Sequence, residues 1–90
     1  MSKRPDRKSA AIVREAILET VDNQIRDNTP PETRETVQRL IENGYSEGEA
    51  KQFVAMALSV EIFHILKHCQ PFDRQRYVRN LQGLPAEPGS

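Results

Sequence analysis

A single cysteine, Cys69, stands in a chain of 90 residues. That excludes an internal disulfide framework and any cysteine-rich zinc site. An excess of charge of one sign is missing too: 13 basic residues balance 13 acidic ones. No net field steers the chain toward nucleic acid or anionic lipid. The longest uncharged apolar run, "FVAMALSV", is far too short for a membrane span. No stretch has the basic, apolar, small-residue order of a signal peptide. The expectation is a soluble cytoplasmic protein with neither nucleic acid nor membrane as partner. No segment alternates with period 2, which leaves no strand candidate. There is no Ser-His-Asp set, no Cys-His-base arrangement and no glycine-rich phosphate loop. No enzyme activity and no cofactor are expected.

What is present is clear helical punctuation. Helix 1 is predicted from near Ser9, with Ala10, Val13, Ile17, Val21 and Ile25 at helical spacing; "DNTPPE" ends it. Thr29-Pro30-Pro31-Glu32 reads as a capping box with Pro30 in the first turn. Helix 2 then buries Val37, Leu40 and Ile41 and stops at Asn43-Gly44, a glycine that suits a left-handed C-terminal cap. Ser46-Glu47-Gly48-Glu49 is a second capping box, with Tyr45 and Ala50 as its hydrophobic staple. Helix 3 runs to about Gln70, ahead of Pro71. Asp73 caps helix 4, Phe72 and Tyr77 staple it, Val78 and Leu81 face inward and Gly83 ends it. The predicted fold is all-α: a small antiparallel four-helix domain over 9–83 with a long, largely buried third helix. Flexible tails are expected at 1–8 and 84–90, both poor in apolar groups. Roughly 75 residues remain for the core, a size at which a single core is marginal and association between copies is common.

The stretch "ALSVEIFHIL" poses the sharpest problem. At about 100° per residue, Ala50, Val54, Ala57, Leu58, Ile65 and His68 fall near the azimuth of Glu61. Glu61 therefore lies near the centre of an apolar face, where an unpaired carboxylate costs several kcal/mol, so a partner is expected. Arg14, Arg34, Arg74 and Tyr77 are the candidate side chains, and a helix-start amide is a further donor; alternatively, helix 3 turns this face partly to solvent. A competing reading is chemical: Glu61-x-x-His64 has the spacing used by di-iron carboxylate bundles, and His68 follows one turn on. A metal site built on Glu61, His64 and His68 is thus the alternative to a purely structural carboxylate. Arg74, Arg76 and Arg79 give helix 4 a basic tint that reads as a solvated face.

A second apolar stripe, Phe53, Met56, Val60 and Phe63, points away from Glu61. Left uncovered it would favour aggregation, so the expectation is a homodimer with this stripe as interface. The role that follows is a non-catalytic interaction or self-association module, with room for an unidentified protein partner.

Two resemblances bear on the chain. "VQRLIENGYSEGEA" looks like the helix–Gly-aromatic–helix start of ubiquitin-associated domains, although the helix that follows is too long for that compact fold. Across residues 14 to 82, "VDNQI", "LIENGYSEGEA", "EIF" and "PFDRQRYV" resemble a family of short bacterial all-helical proteins catalogued only as a domain of unknown function. In that family histidines recur four apart in helix 1 and again near the start of helix 3. The matching positions here are Arg14, Leu18, Gly48 and Gln52, so the resemblance implies a fold and not that histidine chemistry.

Overall fold

Four segments close helical hydrogen bonds in the structure, a computed structural model that describes residues 7–86 and the side chains of 13–86. They are α1 (Arg7–Asp27), α2 (Pro31–Glu42), α3 (Glu47–His68) and α4 (Arg74–Gly83), with no strand among the described residues. The molecule is a small all-α domain. Helix α1 begins two residues earlier than the sequence suggests and takes in part of the stretch expected as a tail; residues 1–6 and 87–90, with the rest of the two tails, lie outside the described residues.

Each corner has a local cause. Helix α1 ends where Asn28 turns left-handed at φ 52°, and Thr29 N–H donates to the Gln24 carbonyl at 3.0 Å. Asn tolerates that conformation better than most residues with a Cβ. The next corner departs from the expected capping box. Pro31 disfavours helical geometry at the residue before it, so Pro30 stays extended at φ −74°, ψ 154° and itself becomes the N-cap. Pro31 is the first helical residue, no side chain caps the helix, and the Thr29 hydroxyl donates to the Asp27 carbonyl instead. The α2–α3 corner follows the sequence closely. Gly44 sits at φ +104°, Tyr45 N–H reaches the Leu40 carbonyl at 3.1 Å, and both halves of the Ser46–Glu49 capping box form. The ring of Tyr45 packs edge-on against Phe53 at 5.2 Å between centroids. Helix α3 stops at His68, with Cys69 left-handed at φ 52°, two residues short of Gln70. Asp73 caps α4 by accepting from Arg76 N–H at 3.0 Å, and the Phe72 and Tyr77 rings meet at 5.5 Å.

All four helices supply the core, through Val21, Val37, Leu40, Val54, Leu58 and Leu81 among others. Two sequence expectations need correction here. Ile41 is at the surface, because α2 turns Thr33, Thr36, Val37 and Leu40 inward. Leu84 is buried, so the folded unit extends past Gly83 into the stretch expected to be a tail.

Helix lengths then decide which surfaces stay open. At 1.5 Å per residue α3 spans about 33 Å, against about 18 Å for α2 and 15 Å for α4. The two short helices cannot cover all of the long one. Helix α3 buries one face through Ala50, Val54, Ala57, Leu58 and Glu61, and its last turns leave Phe63, Ile65 and Leu66 exposed. It is therefore buried along one face of its first four turns rather than largely buried. Helix α1 behaves alike: Val21 is fully buried, Ile17 and Ile25 are half-buried, and Val13 is 58% exposed. Among the described residues no helix is long and apolar enough to cross a membrane.

Candidate functional site: the Glu61 clamp and the open face of helix 3

Glu61 is fully buried, as its place on the helix wheel implies. Its partner is Arg76. The guanidinium Nε donates to Oε2 at 2.6 Å and Nη2 donates to Oε1 at 3.0 Å, a two-pronged match of fork to carboxylate. The backbone N–H of Asp73 adds a third bond to Oε1 at 3.2 Å. The carboxylate thus sits against the N-terminal end of α4, where the partial positive charge of unpaired amides favours an anion. Asp73 serves two roles: its side chain starts α4, and its amide holds Glu61. The bond to Glu61, ahead of the charge of Glu61 and of Asp73, holds the Arg76 guanidinium above its ordinary pKa against the opposing effect of burial.

Of the expected donors a helix-start amide, that of Asp73, meets Glu61, and none of the four expected side chains does. Arg14 is exposed on the rim of a groove between α1 and α3. Arg34 donates from Nη2 to the Ile25 carbonyl at 2.6 Å and so closes the C-terminal end of α1. Arg74 lies 3.7 Å from half-buried Glu32 instead. Tyr77 is buried but turns to a different group. Its hydroxyl donates to Gln24 Oε1 at 2.7 Å, and the same oxygen accepts from Thr33 Oγ1 at 2.8 Å. Burial pushes the Tyr77 phenol above its ordinary pKa; the bonds to Thr33 and Gln24 partly oppose that rise. This cluster has a structural consequence, since the backbones of α1 and α4 make no close approach and the Tyr77–Gln24 bond ties them across α2.

Sequence reasoning missed three of these side chains. Arg76 looked like one of three arginines on a solvated face, although its place three residues after the cap Asp73 puts it in the first turn, beside whatever that turn holds. Gln24 lay unremarked on helix 1. Arg39 gave no signal: it donates to the Leu84 carbonyl at 2.8 Å and the Leu81 carbonyl at 2.9 Å, closing the C-terminal end of α4 from α2.

The expected interface stripe is divided by the fold. Phe53 and Val60 are half-buried, whereas Met56 is 41% and Phe63 52% exposed. Beside Met56 a groove of about 410 Å³ runs between α1 and α3, lined by Val13, Ile17, Leu18, Ala55 and Ser59 among others. Past Phe63 the same side of α3 continues to Leu66, the most exposed large apolar side chain among the described residues.

The three residues of the metal alternative are not brought together. Both oxygens of Glu61 accept from α4, and among the described residues no three His, Cys, Asp or Glu side chains form a group suited to a metal. His64 and His68 do remain neighbours, with ring centroids 5.3 Å apart. The exposed thiol of Cys69 joins them in no such group among the described residues. Comparison with family models, curated proteins and solved structures yields no match for this chain.

Proposed function

We propose that this chain is a non-catalytic self-association module of the cytoplasm, working as a homodimer through the open side of α3 and offering the same side to other protein partners. The observation that carries this reading is the uneven covering of one helix. Met56, Phe63 and Leu66 stay exposed on α3, with Val13 of α1 also exposed beside Met56 on the same groove. An apolar line of this kind, in a domain too small to cover it, marks an interaction surface. A second copy suits it as occupant because the chain carries no net charge, so two copies meet without mutual repulsion. A twofold arrangement would let Met56 and Phe63 of each copy meet the other's. The cytoplasmic assignment is supported by the exposed free thiol of Cys69, which suits a reducing compartment.

Light scattering at high micromolar concentration tests the dimer. The expected mass is twice 10.3 kDa, and Phe63→Glu should return it to that of one chain with helicity intact, because Phe63 contributes little to the core. A monomer mass for the parent chain would sink the reading.

A further inference from the structure

We propose that His64 and His68 form a two-imidazole site for a divalent transition-metal ion of the copper, nickel and zinc group. The two residues stand one turn apart on α3, and side chains at i and i+4 share a helix face. The same spacing on a helix is what lets two histidines bind one zinc ion in metalloproteases. The distances agree. With metal–nitrogen bonds of about 2.05 Å, each ring centroid lies roughly 3.2 Å from the ion, and a tetrahedral angle then separates the centroids by about 5.2 Å. The observed separation is 5.3 Å, with the ring planes tilted by 31°.

A second observation points the same way. The Nε2 atom of His64 is shut off from solvent and has no hydrogen-bond partner. A polar nitrogen in that state is costly, and rotation of the side chain toward solvent, where an ion takes up the lone pair, removes the cost. The Phe63 ring lies edge-on to both imidazoles, at 5.8 Å from His64 and 6.5 Å from His68. The nearby ammonium of Lys67 sits over that Phe63 ring at 5.1 Å. Neutral nitrogen ligands without a carboxylate select copper, nickel or zinc and leave magnesium and calcium, which require oxygen ligands. With two positions filled by protein, water or a second ligand completes the coordination.

Calorimetric titration of the full chain, freed of any histidine tag, tests this with Cu2+ and Ni2+, with Mg2+ as the control. Saturable binding of the first two and none of the third is expected. His64→Ala and His68→Ala should each weaken binding at least tenfold, roughly the lower bound for losing a group that supports a metal. Cys69→Ser should leave it unchanged. Unaltered affinity in either histidine variant, loss of binding in Cys69→Ser, or no saturable binding at sub-millimolar ion would each overturn the proposal.

Discussion

The two parts of α3 carry similar residue types and reach opposite states. Up to Glu61 the helix lies against its neighbours, and even a carboxylate is buried because a guanidinium and an amide stand within reach. From Phe63 onward the short helices α2 and α4 leave it uncovered, and Phe63, Ile65 and Leu66 remain at the surface. Residue type alone therefore does not set burial. Reach does: an ionised side chain goes inside where another helix begins beside it, and an apolar one stays outside where the short helices end before it. The first region specifies how the helices pack, and the second is what the packed domain presents.

Exchanging side chains in the two regions should break this contrast unequally. Glu61→Ala is expected to have the largest effect, about 3 kcal/mol, the lower end for breaking a buried ion pair, because Arg76 remains partly open to water and regains some hydration. Denaturant unfolding gives the value, and a loss below about 1 kcal/mol would place the pair among weak surface bridges. Tyr77→Phe comes next. It removes the bond to Gln24 and should cost about 1 kcal/mol near neutral pH. It should also change the alkaline limb. The folded-state pKa of Tyr77 is raised, so its contribution is fully present below the unfolded value. It is lost as pH rises through the folded one, in a window that opens near the ordinary tyrosine value of about 10. A pH series of melting temperatures should show a shallower alkaline decline in Tyr77→Phe than in the parent, and identical slopes would refute the assignment. The smallest effect on a single chain is expected from Phe63→Glu, within about 0.5 kcal/mol for the dissociated form, read by unfolding at a concentration below association.

The sequence made the α2–α3 corner legible because Gly44, Ser46 and Glu49 act on backbone groups a few residues away. It made the burial of Glu61 legible because helical periodicity needs no knowledge of the partner. The identity of that partner depends on how α4 leaves Pro71 and Asp73, a tertiary angle that no local pattern encodes; the position of Arg76 after the cap Asp73 marks the first turn but not what that turn meets. Thr29 misled for a narrower reason: two consecutive prolines move the helix start one residue beyond the reach of its hydroxyl. Leu84 was hidden because one apolar residue after a helix-ending glycine has no periodicity to reveal it. The half-covered stripe of α3 required the relative lengths of the helices in space, though its residues were readable from spacing.

The corner at Gly44 to Ser46 also bears on the order in which the chain assembles. Only four residues separate α2 from α3, and every bond that shapes the turn is local, so closing this hairpin carries little loop entropy. The Tyr77–Gln24 bond spans 53 residues and must wait for the chain between to fold. We therefore expect the transition state to contain the α2–α3 hairpin and to lack the tie between α1 and α4. Stopped-flow kinetics should show Ser46→Ala slowing folding and Tyr77→Phe mainly accelerating unfolding. The reverse pattern would place nucleation at the opposite side of the domain.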